Sequence, residues 1–183
     1  MESLRSNSYE LFFSDEMRYG LISNFRRSWS RVGERTIVDS QQSFDNRYLF
    51  SAVGPLSGKS FHLTGIDGFD SEAAHTFLLE LKKEYSDTPV IVVWDNAPCH
   101  RVRIHRTIPG LIVLALPPYS PELNPCERFF EELRKATANT IFKSIEEQEV
   151  AIDAKLNALS DDTEAMKRLL GYEWILTQCG VVS

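Results

Sequence analysis

Cysteine is scarce. Cys99, Cys126 and Cys179 are three, an odd number, with no paired spacing. Neither a disulfide framework nor a zinc cluster is implied, and reduced thiols are expected. Long apolar runs are missing too. The longest, VIVVW (Val90 to Trp94) and LIVLAL (Leu111 to Leu116), fall far short of the roughly 20 residues of a membrane span. The opening MESLRSNSYE is polar and has no signal-peptide core. A cytoplasmic protein without a membrane partner is therefore expected. Repeats, low-complexity tracts and linkers are also lacking, which points to one domain over residues 1–183.

The excess of positive charge usual in a nucleic-acid binder is absent as well, since the net charge is −6. The acids are unevenly spread, however. Ser144 to the C-terminus holds eight acids and three bases, which leaves 18 acids and 17 bases before it. Two basic clusters stand out in that first part: Arg18, Arg26, Arg27, Arg31 and Arg35, then Arg101, Arg103 and Arg106. They read either as mixed-charge surface or as a partial phosphate-contacting face.

VIVVW has the composition of a buried, central parallel strand, and it runs directly into Asp95 and Asn96. A charge at the rim of a core costs several kcal/mol unless a metal ion, a helix N-terminus or water meets it. Leu11 to Ser14 is a second short apolar run, ending at Asp15. Met17 to Val38 reads as an irregular loop. Arg47 to Val53 and Lys59 to Ile66 flank a Gly-Pro and Ser-Gly turn and read as a hairpin. Ser71 to Tyr85 has helical spacing, with Ser71 as N-cap. Pro125 to about Asn139, Ile145 to Leu159 and Asp161 to Gly171 read as further helices. The order implies an α/β domain: a mixed central sheet, partly antiparallel, flanked by helices.

Acids at strand ends suit ligand binding, and two carboxylates a few ångströms apart repel unless a proton or cation lies between them. Hard cations such as Mg²⁺ favour such oxygen ligands. Glu127 is a third candidate, two residues after the helix-starting Asn124-Pro125 pair. It either completes a capping box or faces a ligand. Glu131, one turn on, is its rival. Phe129, Phe130, Leu133 and Ala136 form the apolar stripe of this helix. His100 reads equally as a surface or capping residue and as a functional one.

SDEMRYGL, VVWDNAPCH and LPPYSPELNPCERFFEELRK together resemble the three signature blocks of DDE transposases, in the bacterial insertion-sequence branch of the mariner-like superfamily. The resemblance covers about Ser8 to Asn139, and the proline-rich third block is its most specific part. It implies an RNase H-like fold with Asp15, Asp95 and Glu127 as the catalytic carboxylates. These would hold two Mg²⁺ ions, with Mn²⁺ as a substitute, for DNA strand cleavage and strand transfer. Asn96 and His100 would orient a carboxylate or contact DNA. Arg101, Arg103 and Asn124 would give DNA contact or support. The 31 residues between Asp95 and Glu127 are slightly fewer than is usual there. The family's helix-turn-helix modules are not found ahead of Asp15. The chain then reads as the second reading frame of a split element, a decayed remnant, or a domain acting with a partner such as a separate helix-turn-helix polypeptide that recognises transposon ends, with a dimer on DNA as the working unit near the nucleoid.

Three other readings compete. An inactive remnant would serve only as an association module. An RNase H-like or repair nuclease would lack a reason for the proline-rich block. A thiol hydrolase using Cys99 and His100 would need two adjacent residues to point the same way, and no third group to orient them is evident.

Overall fold

The computed structural model describes residues 9–27, 29–34, 37–101 and 107–181; Arg35, Arg103 and Arg106 lie outside the described residues, as does the side chain of Arg101. Five strands form one mixed sheet. They are β1 (Glu10–Ile22), β2 (Gln42–Val53), β3 (Ser60–Ile66), β4 (Val90–Trp94) and β5 (Leu111–Ala115), in the spatial order β3-β2-β1-β4-β5. The β1–β2 and β2–β3 pairs are antiparallel, whereas β4 runs parallel to both β1 and β5.

Alternation along β1 supplies both cores. Phe13, Met17, Tyr19 and Leu21 point to one face, and Phe12 to the other. Helix α1 (Ser71–Glu84) covers the Phe12 face, where its Phe77, Leu78 and Leu81 meet Phe50, Val92 and Trp94. The opposite face is covered by α2 (Cys126–Thr137), α3 (Ile145–Ser160), α4 (Thr163–Leu170) and the short α5 (Glu173–Gln178).

The structure corrects several sequence expectations. The first strand does not stop at Asp15 but continues to Ile22, through the first part of the segment read as loop. Asp15, Glu16 and Arg18 break the apolar pattern, yet the ladder to β2 persists from Phe13↔Val53 to Ile22↔Gln42. Strand β4 is not equally buried on both faces. Val90, Val92 and Trp94 are fully buried, while Ile91 and Val93 are only partly so. The N-cap of α1 is Asp70, not Ser71: its Oδ1 accepts the Glu72 and Ala73 N–H groups at 3.0 and 2.9 Å. Ala136 lies on the exposed side of α2, and Cys126 takes its place in the buried stripe with Phe129, Phe130 and Leu133. Helix α5 was not expected from the sequence, because six residues give too little periodicity to read.

Helix α2 is held to the sheet chiefly by its aromatics. Phe129 is fully buried and stacks on the His62 ring of β3, with centroids 5.0 Å apart and planes 2° from parallel. Replacing Phe129 with Ala should cost about 3–5 kcal/mol, the usual range for a core aromatic. A urea titration that left the midpoint unchanged would show that this packing does not anchor α2.

Candidate active site

Asp15 and Asp95 come together through strand register. The parallel pairs of β1 and β4 run from Glu10↔Val90 to Phe13↔Val93. Continued two residues further, the same offset sets Asp15 beside Asp95. Strand β4 ends at Trp94, so β1 parts from it at this point while remaining paired to β2 (Asp15↔Ser51). Asp15 is therefore a mid-strand residue at a sheet opening, and Asp95 is the first residue beyond a strand end.

Glu127 arrives from the first turn of α2. The Asn124 side chain caps that helix, since its Oδ1 accepts the Cys126 N–H at 3.1 Å while its carbonyl accepts the Glu127 N–H at 3.1 Å. The capping-box alternative for Glu127 is not realised: the Asn124 N–H it would accept is donated instead to the Pro121 carbonyl at 2.9 Å. Asp15, Asp95 and Glu127 all line one cavity of about 530 Å³, together with Asn96, Asn124 and the Pro117–Pro121 loop. Glu131 does not line it. Arg26 Nη2 donates to Glu131 Oε1 at 2.7 Å and holds that carboxyl below its ordinary range. Among the described residues, no Lys, Arg or His side chain lines the cavity.

Each aspartate is supported by one backbone N–H and one buried polar side chain. Asp15 Oδ1 accepts the Glu16 N–H at 2.9 Å, and its Oδ2 accepts Asn124 Nδ2 at 3.2 Å. Asn124 also donates to the Ser14 carbonyl at 3.1 Å and is buried. Asp95 Oδ1 accepts the Ala97 N–H at 3.0 Å and lies 2.6 Å from His100 Nδ1. His100 comes from a 3-10 turn, Pro98–Arg101, that follows β4. It is buried, which removes it from the surface, and it bonds to a carboxylate.

Glu16 was not singled out by sequence reasoning. Its side chain is 6% exposed, and its Oε1 lies 3.1 Å from His100 Nε2. The only local signal was its place beside Asp15, since adjacent strand residues point to opposite faces. Arg134 was missed as well; its Nη1 lies 3.6 Å from Glu127 Oε2, two turns along α2.

The electrostatics follow from burial and charge. Burial, reinforced by the Glu16, Glu127 and Asp95 charges, pushes Asp15 up to about 7. The His100 hydrogen bond holds Asp95 below its usual range. Burial alone would discharge His100, but its bonds to Asp95 and Glu16 outweigh it and push the imidazole up to about 9. A cavity with three carboxylates and, among the described residues, no cation in its wall offers the hard oxygen donors that Mg²⁺ or Mn²⁺ prefers. Asp15, Asp95 and Glu127 would hold such an ion. Among the described residues, no three acidic, His or Cys side chains converge tightly enough to enclose one. That suits Mg²⁺, which usually takes one or two carboxylates, waters and substrate phosphate oxygens rather than a closed protein cage.

The geometry disfavours the thiol reading. Burial raises the Cys99 thiol, and both His100 ring nitrogens are bonded to carboxylates. Among the described residues, no helix is long and apolar enough to cross a membrane.

Comparison with known proteins agrees with this architecture. The family of DDE superfamily endonucleases matches residues 10–149. The uncharacterized protein y4pE/y4sA of Sinorhizobium fredii (strain NBRC 101917 / NGR234) is 30% identical over 129 residues, 69% of this chain and 95% of that protein. The Mos1 transposase paired-end complex with left transposon end is similar in fold, with a TM-score of 0.69 at 20% identity over 88% of this chain and 51% of that one. The catalytic domain of Mos1 mariner transposase gives a TM-score of 0.63 at 18% identity, covering 88% and 76%. The fold is thus the RNase H-like one of transposase catalytic domains, and the chain spans about half the length of the Mos1 transposase in that paired-end complex.

The raised Asp15 predicts a stability trade-off. An acid whose folded pKa lies above its unfolded value binds more protons when folded, so stability falls as pH rises from about 4 to about 7. In metal-free protein at pH 8, Asp15→Asn should therefore melt above wild type by about 2–4 °C or more, with the gap closing toward pH 4. Differential scanning fluorimetry checks this, and a wild type as stable as the variant at pH 8 would contradict it.

Proposed function

The chain belongs to the DDE superfamily of endonucleases, and we propose that it is a transposase catalytic domain that cleaves DNA strands and transfers them to a target. The observation that carries this reading is one acid-walled cavity fed by three separate segments: β1 through Asp15, the end of β4 through Asp95, and α2 through Glu127. We assign these three carboxylates to two Mg²⁺ ions, which Mn²⁺ can replace. When bound, the ions would supply Lewis-acid stabilisation of the attacking and leaving oxygens at phosphorus.

The chain's own groups do the positioning. Asn124 fixes Asp15 against the start of α2, so the carboxylate and the helix move as a unit. His100 and the Ala97 N–H fix Asp95. Asn96 and the Pro117–Pro121 loop wall the cavity and limit water around a phosphate. The openness to solvent at Asp95, whose side chain is 52% exposed, gives a DNA strand access. Arg101, the last residue of the 3-10 turn, and Arg103, two positions on in sequence, are assigned to phosphate contact.

DNA ends and target are the substrates in this reading. The near balance of charge before Ser144 fits a part that performs chemistry while another binds. End recognition is accordingly assigned to helix-turn-helix modules outside residues 1–183, and the working unit to a dimer on DNA in the bacterial cytoplasm. The presence of all three acids argues against the inactive-remnant reading.

Calorimetric titration of Mn²⁺ tests the assignment. Wild type and Glu131→Gln should bind alike, and Asp95→Asn and Glu127→Gln should lose binding. The same two variants should fail to nick supercoiled plasmid in Mn²⁺. Retention of binding by Glu127→Gln with loss in Glu131→Gln would move the third ligand to Glu131. A wild type that neither binds nor nicks would favour the remnant.

A further inference from the structure

Glu16 is a fourth carboxylate that the triad does not use. It follows Asp15 on β1 but points to the other face of the sheet, where its side chain is nearly as buried as that of His100 (6% and 2% exposed). His100 bridges it to Asp95: Nε2 lies 3.1 Å from Glu16 Oε1, and Nδ1 lies 2.6 Å from Asp95 Oδ1. The imidazole is clamped between rings, stacked on Trp94 at 3.9 Å and met edge-on by Phe69 at 5.8 Å. It is thus engaged by two aromatic rings and through both ring nitrogens at once.

Burying such a charged chain is a poor way to stabilise a sheet. Apolar residues of similar volume are often neutral or better, because desolvation offsets the Coulomb gain. A positional role accounts for the cost. Asp95 Oδ1 is saturated by His100 and the Ala97 N–H, whereas Oδ2 has no bond among the described residues. The carboxylate as a whole lines the cavity. A partner on the far side of His100 fixes the ring, and hence decides which Asp95 oxygen is held and which is offered.

We propose that Glu16 is a positioning residue of the active site, acting through His100 to commit Asp95 Oδ1 to the protein and leave Oδ2 for the metal. This rests on the metal-binding reading of Asp95 above. The two sheet faces would then be coupled, with the ligand on one face held by a carboxylate on the other. Groups beyond the metal ligands that orient them are commonly needed for full affinity, and their loss weakens binding about 10–100-fold.

Two measurements on the full chain test it. The first uses Mn²⁺ as the probe, with Glu16→Gln, His100→Phe and the double variant; phenylalanine keeps the stack on Trp94 and removes both bonds. Each single variant should weaken Mn²⁺ binding by about tenfold, and the double variant should be no weaker than His100→Phe alone. Additive losses, or a Glu16→Gln that lowers the melting temperature but binds Mn²⁺ as wild type does, would reduce Glu16 to a structural residue.

The second measurement needs no metal. Amide exchange at Ala97, whose N–H is held by Asp95 Oδ1, should quicken in Glu16→Gln to the level of His100→Phe. Exchange as slow as wild type would overturn the proposal. A wild type that binds no Mn²⁺ but shows this exchange pattern would count against the metal assignment of the triad, not against the coupling of Glu16 to Asp95.

Discussion

The parallel pairing of β1 with β4 is the constraint on which the site depends. Its register, Phe13↔Val93, decides that two aspartates 80 positions apart in the chain become neighbours. Because β4 stops at Trp94 while β2 continues alongside β1, Asp15 is held by a ladder on one side and opens to a cavity on the other. A rigid strand places its oxygens more tightly than a loop would. Burial at that fixed position, reinforced by the repulsion of the acids around it, drives its carboxyl up to about 7. A divalent cation would relieve that repulsion, so the unfavourable charge and the proposed function have one cause.

Around this pair, the structure repeats a pattern. Each aspartate takes one N–H from its own segment and one donor from a buried polar side chain elsewhere: Asn124 for Asp15, His100 for Asp95. Buried polar groups are tolerable only when satisfied. Asn124 meets this by capping α2 and bonding β1 at once, so the helix that carries Glu127 cannot shift without disturbing Asp15. His100 meets it through Glu16. The network spans both faces of the sheet.

Much of this was legible before the fold. VIVVW, LIVLAL, the Gly54–Lys59 hairpin turn and the helix after Asn124-Pro125 carry local signals strong enough to be read without knowing their neighbours. The end of β1 was not legible. Polar Asp15, Glu16 and Arg18 look like a strand terminus, and only the unbroken pairing with β2 shows that Met17, Tyr19 and Leu21 continue the buried face. Ala136 was placed inside because helical periodicity gives a stripe but not its width; on α2 the buried stripe is limited to Cys126, Phe129, Phe130 and Leu133, which leaves Ala136 exposed.

By itself, the sequence determined the kinds of atom available: carboxylates at the ends or middles of strands, a helix start bearing Glu127, and a histidine five residues after Asp95. Those follow from local chemistry and chain order. Tertiary structure alone decided which of them meet. Glu127 and Glu131 share a face of α2, and no periodicity separates residues one turn apart. They separate because Arg26, more than a hundred residues earlier, reaches Glu131, while Glu127 lies at the cavity. Glu16 and His100 are likewise unremarkable as neighbours of aspartates, until strand alternation and the turn after β4 set them against each other in the core. Contacts between distant segments depend on register and packing, and those quantities exist only once the chain is folded.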